Sequence, residues 1–276
     1  MSALLTAMIF AAGRGERMHP LSDACPKPLL NAGGKALIVW QIERLARAGF
    51  RDLVINHAWR GAQIEAALGD GARWGVRIRY SAEQPALETA GGIRQALPLL
   101  EARRGPCAFV AVSGDLYTDY DYRLLHAPLQ RISQQPEPHL HLVMVPNPDH
   151  HPNGDFALLD NGQLSLIDAP RLTFGNIGVY HMHMFHTLAP GAHCALGPYY
   201  RTAIAARRAS GEQYSGRWLN IGAPEQLYAL DAMLSGVPHN RAGGVAPPCR
   251  THCTVCVGAP CQRGCAKLLR HSCSEI

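Results

Sequence analysis

The first half of the chain alternates between two periodicities. Short strand-like segments lie at residues 7–10, 52–55 and 107–112, mainly apolar, and at 76–80, where apolar and charged residues alternate. Between them, residues 36–48, 59–68 and 92–100 repeat their apolar side chains at helical spacing, and Gly49 and Gly69 supply stops. Strands separated by a helix-length crossover pair in parallel, and a parallel sheet is covered on both faces. The pattern therefore predicts an α/β fold, with a Rossmann-like, mixed and mostly parallel sheet flanked by helices. In such sheets ligands gather beyond the C-terminal ends of the strands. Three of the expected strands lead there into unusual chemistry: the Gly13–Arg17 loop, the Glu83 loop and the Gly114-Asp115 turn.

The second half is less regular. Strands are expected at 139–145, 156–159, 164–167, 172–180 and 216–221, with Asn161-Gly162 as a hairpin turn. Helices are expected at 199–209 and 224–234, the latter opened by Pro224. This half is expected to lid the first. No internal repeat is present. From Pro238 onward the periodicity stops, so the chain divides into a globular domain at 1–237 and a Cys-rich extension, expected to be disordered, at 238–276.

The 276 residues suffice for one large α/β domain with an appendage, and the formal charge of +5 suits anionic nucleotides. No basic run suggests a nucleic-acid groove. No apolar stretch approaches the ~20 residues needed to span a bilayer, and no secretory signal pattern opens the chain. The expected location is the cytoplasm. Cys25, Cys107 and Cys194 are scattered, whereas the other six cysteines fall between Cys249 and Cys273. That cluster contains one C-x-x-C and lacks the two-pair spacing of a zinc site.

The stretch FAAGRGERMHPLSDACPKPLL, residues 10–30, concentrates two glycines and three cations, Arg14, Arg17 and Lys27. Glycine permits sharp turns and close approach, and backbone amides with guanidinium groups suit phosphates. The string is neither the G-x-x-x-x-G-K-[ST] phosphate loop nor the G-x-G-x-x-G dinucleotide fingerprint. Its pattern A-A-G-x-G-x-R-x-x-P-L-x-x-x-x-P-K-P-L resembles the opening signature of the sugar-1-phosphate nucleotidyltransferases. The resemblance extends over roughly residues 8–234 and implies the nucleotide-diphospho-sugar transferase type of fold.

In that family a sugar 1-phosphate attacks the α-phosphorus of a nucleoside triphosphate and pyrophosphate leaves. The nucleophile is already an anion, so positioning and charge stabilisation dominate. The resemblance implies Arg17, Lys27 and Asp115 as catalytic residues. Ala12, Gly13, Arg14 and Gly15 are implied at the triphosphate, with Glu83 and the backbone at Ala86 reading the base. The sugar is implied to lie against Gly154, Asp155, Thr173 and Asn176. Mg²⁺ is the implied cofactor, held by Asp115 and by Asn220 of the Trp218-Leu219-Asn220-Ile221-Gly222 segment, a neutral donor where relatives also carry aspartate. At segments 54–59, 87–89, 114–121 and 147–156 the resemblance goes beyond the shared signature and implies UTP and N-acetylmuramate 1-phosphate as substrates, as in peptidoglycan recycling. The chain departs from the family pattern at Ala90, at Ala223, in lacking an E-K-P segment, and in its whole tail.

Alternatives are mannose 1-phosphate with GTP, glucose 1-phosphate with TTP, or a non-catalytic sugar-nucleotide sensor. The retained Arg17 and Lys27 weigh against the sensor. The His150-His151 and His181-x-His183 pairs lack a matching third ligand and read as structural or solvated. Nothing in the sequence bears on oligomeric state.

Overall fold

The computed structural model describes residues 5–102 and 107–236. Along the chain its strands are β1 (Thr6–Ala11), β2 (Asn31–Ala32), β3 (Lys35–Ala36), β4 (Asp52–His57), β5 (Arg77–Ala82), β6 (Ala108–Ser113), β7 (Leu116–Thr118), β8 (Leu140–Val145), β9 (Phe156–Leu158), β10 (Leu164–Ser165), β11 (Arg171–His181), β12 (Ala209–Gln213) and β13 (Trp218–Asn220). Its helices are α1 (Leu21–Ala24), α2 (Leu37–Arg47), α3 (Gly61–Leu68), α4 (Glu88–Leu100), α5 (His126–Ser133), α6 (Gly197–Ala205) and α7 (Pro224–Ser235).

Strand β1 sits between β4 and β6, parallel to both, and β5 continues the parallel set beyond β4. The alternation within β1 sends its side chains to opposite faces. Ala7, Ile9 and Ala11 pack with Ile38, Ile42 and Leu45 of α2, Ile64 and Leu68 of α3, and Leu129 and Ile132 of α5. Met8 packs on the other face with Ile93, Leu97 and Leu100 of α4 and Ala203 and Ile204 of α6. The sheet is thus covered on both faces, which is why β1 and β6 at its centre read as nearly continuous apolar runs.

The second half does not form a separate lid. Strand β11 pairs antiparallel with β6 and carries β8 antiparallel, and β12 joins β8 in parallel, so both halves share one sheet. The sheet is mixed and nine-stranded among the described residues. Strand β12 replaces the end of the helix expected at 199–209. The chain reverses at Arg207, φ 56, so α6 stops at Ala205 and the next residues become a strand.

Two other helices start where packing, not periodicity, decides. Helix α3 begins at Gly61, two residues later than the pattern suggests, after Arg60 in a left-handed conformation at φ 52, and Gly61 lies against His57: a Cβ there would fall 1.8 Å from Nδ1. Helix α4 begins at Glu88, four residues earlier than expected, and places Gly91 and Gly92 inside the helix. The Cys-rich tail lies outside the described residues. Among those described, no helix is long and apolar enough to cross a membrane.

Candidate active site

The register of the central strands determines where the site forms. Phe10 pairs with Asn56 on one side and Ser113 on the other, so the glycine loop, the loop after β4 and the Gly114-Asp115 turn emerge together. Gly114 donates its N–H to Phe10 O at 2.9 Å, and a Cβ on Gly114 would lie 2.9 Å from that oxygen. The carboxylate of Asp115 is thereby brought beside the end of β1.

Gly15 adopts φ 69, a left-handed conformation that glycine takes without strain. A Cβ here would also lie 2.9 Å from Lys27 Cβ, so the loop and Lys27 pass in close contact. Lys27 opens a 3-10 turn between Pro26 and Pro28, is 9% exposed, and pairs its ammonium with Asp115. Arg17 is the middle residue of the 3-10 turn Glu16–Met18 and passes over Gly222, where a Cβ would come within 3.3 Å of its Nη2. Among the described residues the Arg17 guanidinium has no hydrogen-bond or ion-pair partner. Arg14 stacks its guanidinium 4.3 Å from the centre of the Trp59 ring, and the Trp59 indole N–H donates to Ser22 O at 3.2 Å. Trp59 therefore clasps both ends of this segment, a role that no motif signals. The intervening loop is anchored at Met18, which is fully buried against Leu37, Tyr117 and Ile221.

Asn220 reaches the same place through a second ladder. Strand β13 pairs antiparallel with β7, setting Asn220 opposite Leu116, and Ile221 donates its N–H to Asp115 O at 3.0 Å. Asp115 Oδ1 and the Asn220 amide oxygen accept no hydrogen bond among the described residues. These are hard oxygen donors of the kind Mg²⁺ takes, one or two per protein site, with phosphates and water supplying the rest. The donor set fits that ion. Among the described residues no cluster of three or more His, Cys, Asp or Glu offers an alternative protein cage.

Asn176 owes its place to an irregularity in β11. Pairing with β8 runs from Phe174↔Met144 to Gly178↔Leu142, so β11 carries two extra residues in between. Bulges re-aim side chains, and Asn176 stands there at φ 56, a position asparagine tolerates better than most. Asp155 accepts the Phe174 N–H at 2.7 Å and lies 3.2 Å from His151 Nε2. Thr173 donates to Asn147 Oδ1 at 2.8 Å, while Asn147 Nδ2 donates to Pro152 O and Arg171 O, both at 3.0 Å. Gly154, at φ 61, lets the Asn147 loop fold onto β11: a Cβ would meet Asn147 Oδ1 at 2.8 Å.

These residues line adjoining cavities. One of 520 Å³ is bounded by Gly13, Arg14, Gly15, Arg17, Lys27 and Asp115. A second of 770 Å³ is bounded by Gly154, Asp155, Thr173, Asn176 and Asn220, and again by Arg17. Arg17 thus faces both. A recess of 180 Å³ shares Phe10 with the first and Asn176 with the second. The second cavity also exposes Arg171 and Arg201, which no motif singles out because each lies in an ordinary amphipathic element.

The residues expected to read the base stand apart. Glu83 is 2% exposed and lines none of these cavities, nor does Ala86. Its carboxylate accepts the Leu87 N–H at 2.8 Å and the Asn56 side-chain amide at 2.7 Å, and Asn56 Oδ1 accepts the Ala11 N–H at 3.0 Å. Burial raises the Glu83 carboxyl above its ordinary pKa, and the Leu87 and Asn56 hydrogen bonds partly offset that. Glu83 therefore ties the loop before α4 to the end of β1. Ala86 remains exposed at the tip of that loop.

His150 and His151 both line the second cavity, and His151 is turned to Asp155 there. The His181 and His183 rings meet edge-to-face, with centroids 4.7 Å apart.

The geometry gathers unpaired cationic and oxygen-donor groups around one cleft, an arrangement suited to joining two phosphorylated molecules. Comparison with known proteins agrees. A nucleotidyl transferase family model matches residues 6–156. The chain is 47% identical over 234 residues to the N-acetylmuramate alpha-1-phosphate uridylyltransferase of Neisseria meningitidis, covering 83% of this chain and 98% of the relative. It is 31% identical over 238 residues to the protein of the same name from Caulobacter vibrioides, covering 83% and 96%. A crystal structure from Bacillus anthracis in complex with a sucrose superposes with a TM-score of 0.71 at 17% identity, over 86% of this chain and 98% of that one.

Proposed function

The chain belongs to the nucleotidyl transferase family, and from that premise we propose that it transfers a uridylyl group from UTP to N-acetylmuramate 1-phosphate, releasing pyrophosphate. The observation that carries the reading is the shared position of Arg17, which faces both the glycine-loop cavity and the cavity of Asn176 and Asp155. A charge stabiliser for nucleotidyl transfer has to stand between the donor and acceptor phosphates. The extended identity to relatives named for this reaction supports the choice of substrates.

In this reading Ala12, Gly13, Arg14 and Gly15 hold the triphosphate and Arg17 stabilises charge at the α-phosphorus. Lys27, now paired with Asp115, turns to the phosphate of the sugar. Gly154, Asp155, Thr173 and Asn176 hold the sugar. Glu83 positions the loop whose exposed tip, at Ala86, meets the base. Asp115 and Asn220 hold Mg²⁺, which neutralises phosphate charge when bound. We assign this catalytic unit to residues 1–237, and the enzyme to the cytoplasm and the recovery of peptidoglycan amino sugar.

The test is pyrophosphate release from four nucleoside triphosphates, each offered a panel of sugar 1-phosphates with and without Mg²⁺. UTP with N-acetylmuramate 1-phosphate is expected to be fastest, and only with the cation. Faster turnover of mannose 1-phosphate with GTP would overturn the assignment.

A further inference from the structure

The proposed acceptor carries two anions. Its phosphate is at C1, and a lactyl ether at C3 ends in a carboxylate. N-acetylglucosamine 1-phosphate is the same molecule with a hydroxyl at C3. Discrimination between them therefore requires a second cation, apart from those that hold the phosphates. The following rests on the functional reading above.

The 770 Å³ cavity meets this requirement. It is lined by Arg17, Arg171 and Arg201, with Asp155 as its only carboxylate. That carboxylate is already engaged by the Phe174 N–H and by His151. A sugar bearing its own carboxylate would enter a cavity with surplus positive charge.

The three arginines are not equivalent. Arg17 also borders the glycine loop and Lys27, on the phosphate side. Arg171 donates through Nη2 to Leu166 O at 2.6 Å, which ties its guanidinium to the backbone. Arg201 has no hydrogen-bond or ion-pair partner among the described residues. Its Nη1 comes within 3.5 Å of where a Cβ of Gly197 would be, so the guanidinium folds back along α6 over the wall shared with Tyr200. Tyr200 holds that wall in place. Its hydroxyl lies 2.9 Å from the Tyr180 hydroxyl, and its ring packs edge-on against Phe174 at 5.3 Å. Gly197 and Tyr200 also line the recess they share with Asn176. The free guanidinium is thus mounted on a packed helix face beside the sugar-contacting asparagine.

We propose that Arg201 is the specificity-determining residue that receives the lactyl carboxylate of the acceptor sugar. A guanidinium pairs with a carboxylate through two parallel N–H donors, which a neutral C3 hydroxyl cannot match. A site built to bond a polar group penalises the analogue lacking it.

The test compares kcat/KM for N-acetylmuramate 1-phosphate and N-acetylglucosamine 1-phosphate at saturating UTP and Mg²⁺. The proteins are the wild type, Arg201→Ala, Arg201→Lys and Arg171→Ala, with thermal melts to verify folding. Arg201→Ala is expected to lower kcat/KM for the muramate substrate at least ~10-fold, chiefly through KM, and to affect the glucosamine substrate far less. The preference ratio then collapses, and Arg201→Lys restores part of it. An equal loss on both sugars, or no change in the ratio, overturns the assignment while leaving the uridylyltransferase reading intact. So does collapse of the ratio in Arg171→Ala but not in Arg201→Ala. A wild type inactive on both sugars with UTP overturns the functional reading, and this assignment with it.

Discussion

Gly92→Ala separates two physical effects of opposite sign. Gly92 lies inside α4, where alanine is favoured over glycine by about 1 kcal/mol on helix propensity alone. Yet a Cβ there would lie 2.6 Å from Glu83 Oε1 and 2.8 Å from Asn56 Nδ2. Neither atom is the loose end of a flexible chain. Each belongs to the buried relay from the Ala11 N–H through Asn56 and Glu83 to the Leu87 N–H. To make room, the Asn56–Glu83 hydrogen bond has to break or the helix has to shift. A lost hydrogen bond to a charged group costs about 1.5–3 kcal/mol. Overpacking costs about 1–3 kcal/mol more. After the propensity gain, Gly92→Ala is expected to destabilise by about 1.5–5 kcal/mol, against no more than about 0.5 kcal/mol for Gln95→Ala on the exposed face of the same helix. Urea titration at neutral pH measures both. The relay also ties the glycine loop to the proposed base-reading loop, so KM for UTP should rise several-fold while KM for the sugar stays put. A Gly92→Ala protein as stable as the wild type or more so would refute the idea that the relay is locked.

Three further outcomes are expected. Arg17→Ala should lower kcat by at least ~10²-fold, as for loss of a transition-state charge stabiliser, whereas a change confined to KM would reduce Arg17 to a binding group. Asn176→Gly should keep the thermal midpoint, since glycine accepts φ 56 freely, while Asn176→Ala should lose about 1 kcal/mol or more. Both should raise KM for the sugar, and an unmoved sugar KM in Asn176→Gly would remove the side chain from the sugar site. His141 sets a pH dependence. It is buried in β8 beside Ser210, with Glu212 at 3.9 Å, and burial followed by the Arg131 charge lowers its pKa from 6.5 to about 4. Between those values the unfolded chain binds the proton and the folded one does not, so stability is lost as pH falls through this window. By pH 5 the loss from this group should be about 2 kcal/mol, and urea titrations of His141→Gln should show a flatter pH dependence than the wild type.

The alternating periodicities carried the central sheet because a strand buried on both faces needs an apolar centre, and β1, β4 and β6 have one at 7–11, 53–55 and 108–112. The glycine–arginine string was equally legible, since Gly15, Arg17, Pro26, Lys27 and Pro28 act through local backbone geometry and charge. Asp115 was readable from its glycine after a strand. The sharing of one sheet by both halves was not readable, because β12 has the sequence ASGEQ, with little apolar signal, and forms only by pairing with β8. Arg201 was hidden for a related reason: it looks like a surface residue of α6, and only the packed structure brings it to the wall of the second cavity.

Glu83 marks the boundary. Its identity as a key carboxylate was evident from its loop, but its orientation was decided by burial, which demands two donors for two oxygens and finds them in Asn56 and Leu87. The sequence alone determined which chemical groups exist, which loops carry them and the alternation of strands and helices in the first half. Those properties rest on interactions within a few residues or on simple burial. The tertiary structure decided that Arg17 faces two cavities, that Asn220 stands beside Asp115 through the β7–β13 ladder, and that Asn176 is turned by two extra residues in β11. Each of these depends on register between segments distant in the chain, and pairing register is set by the packed sheet as a whole.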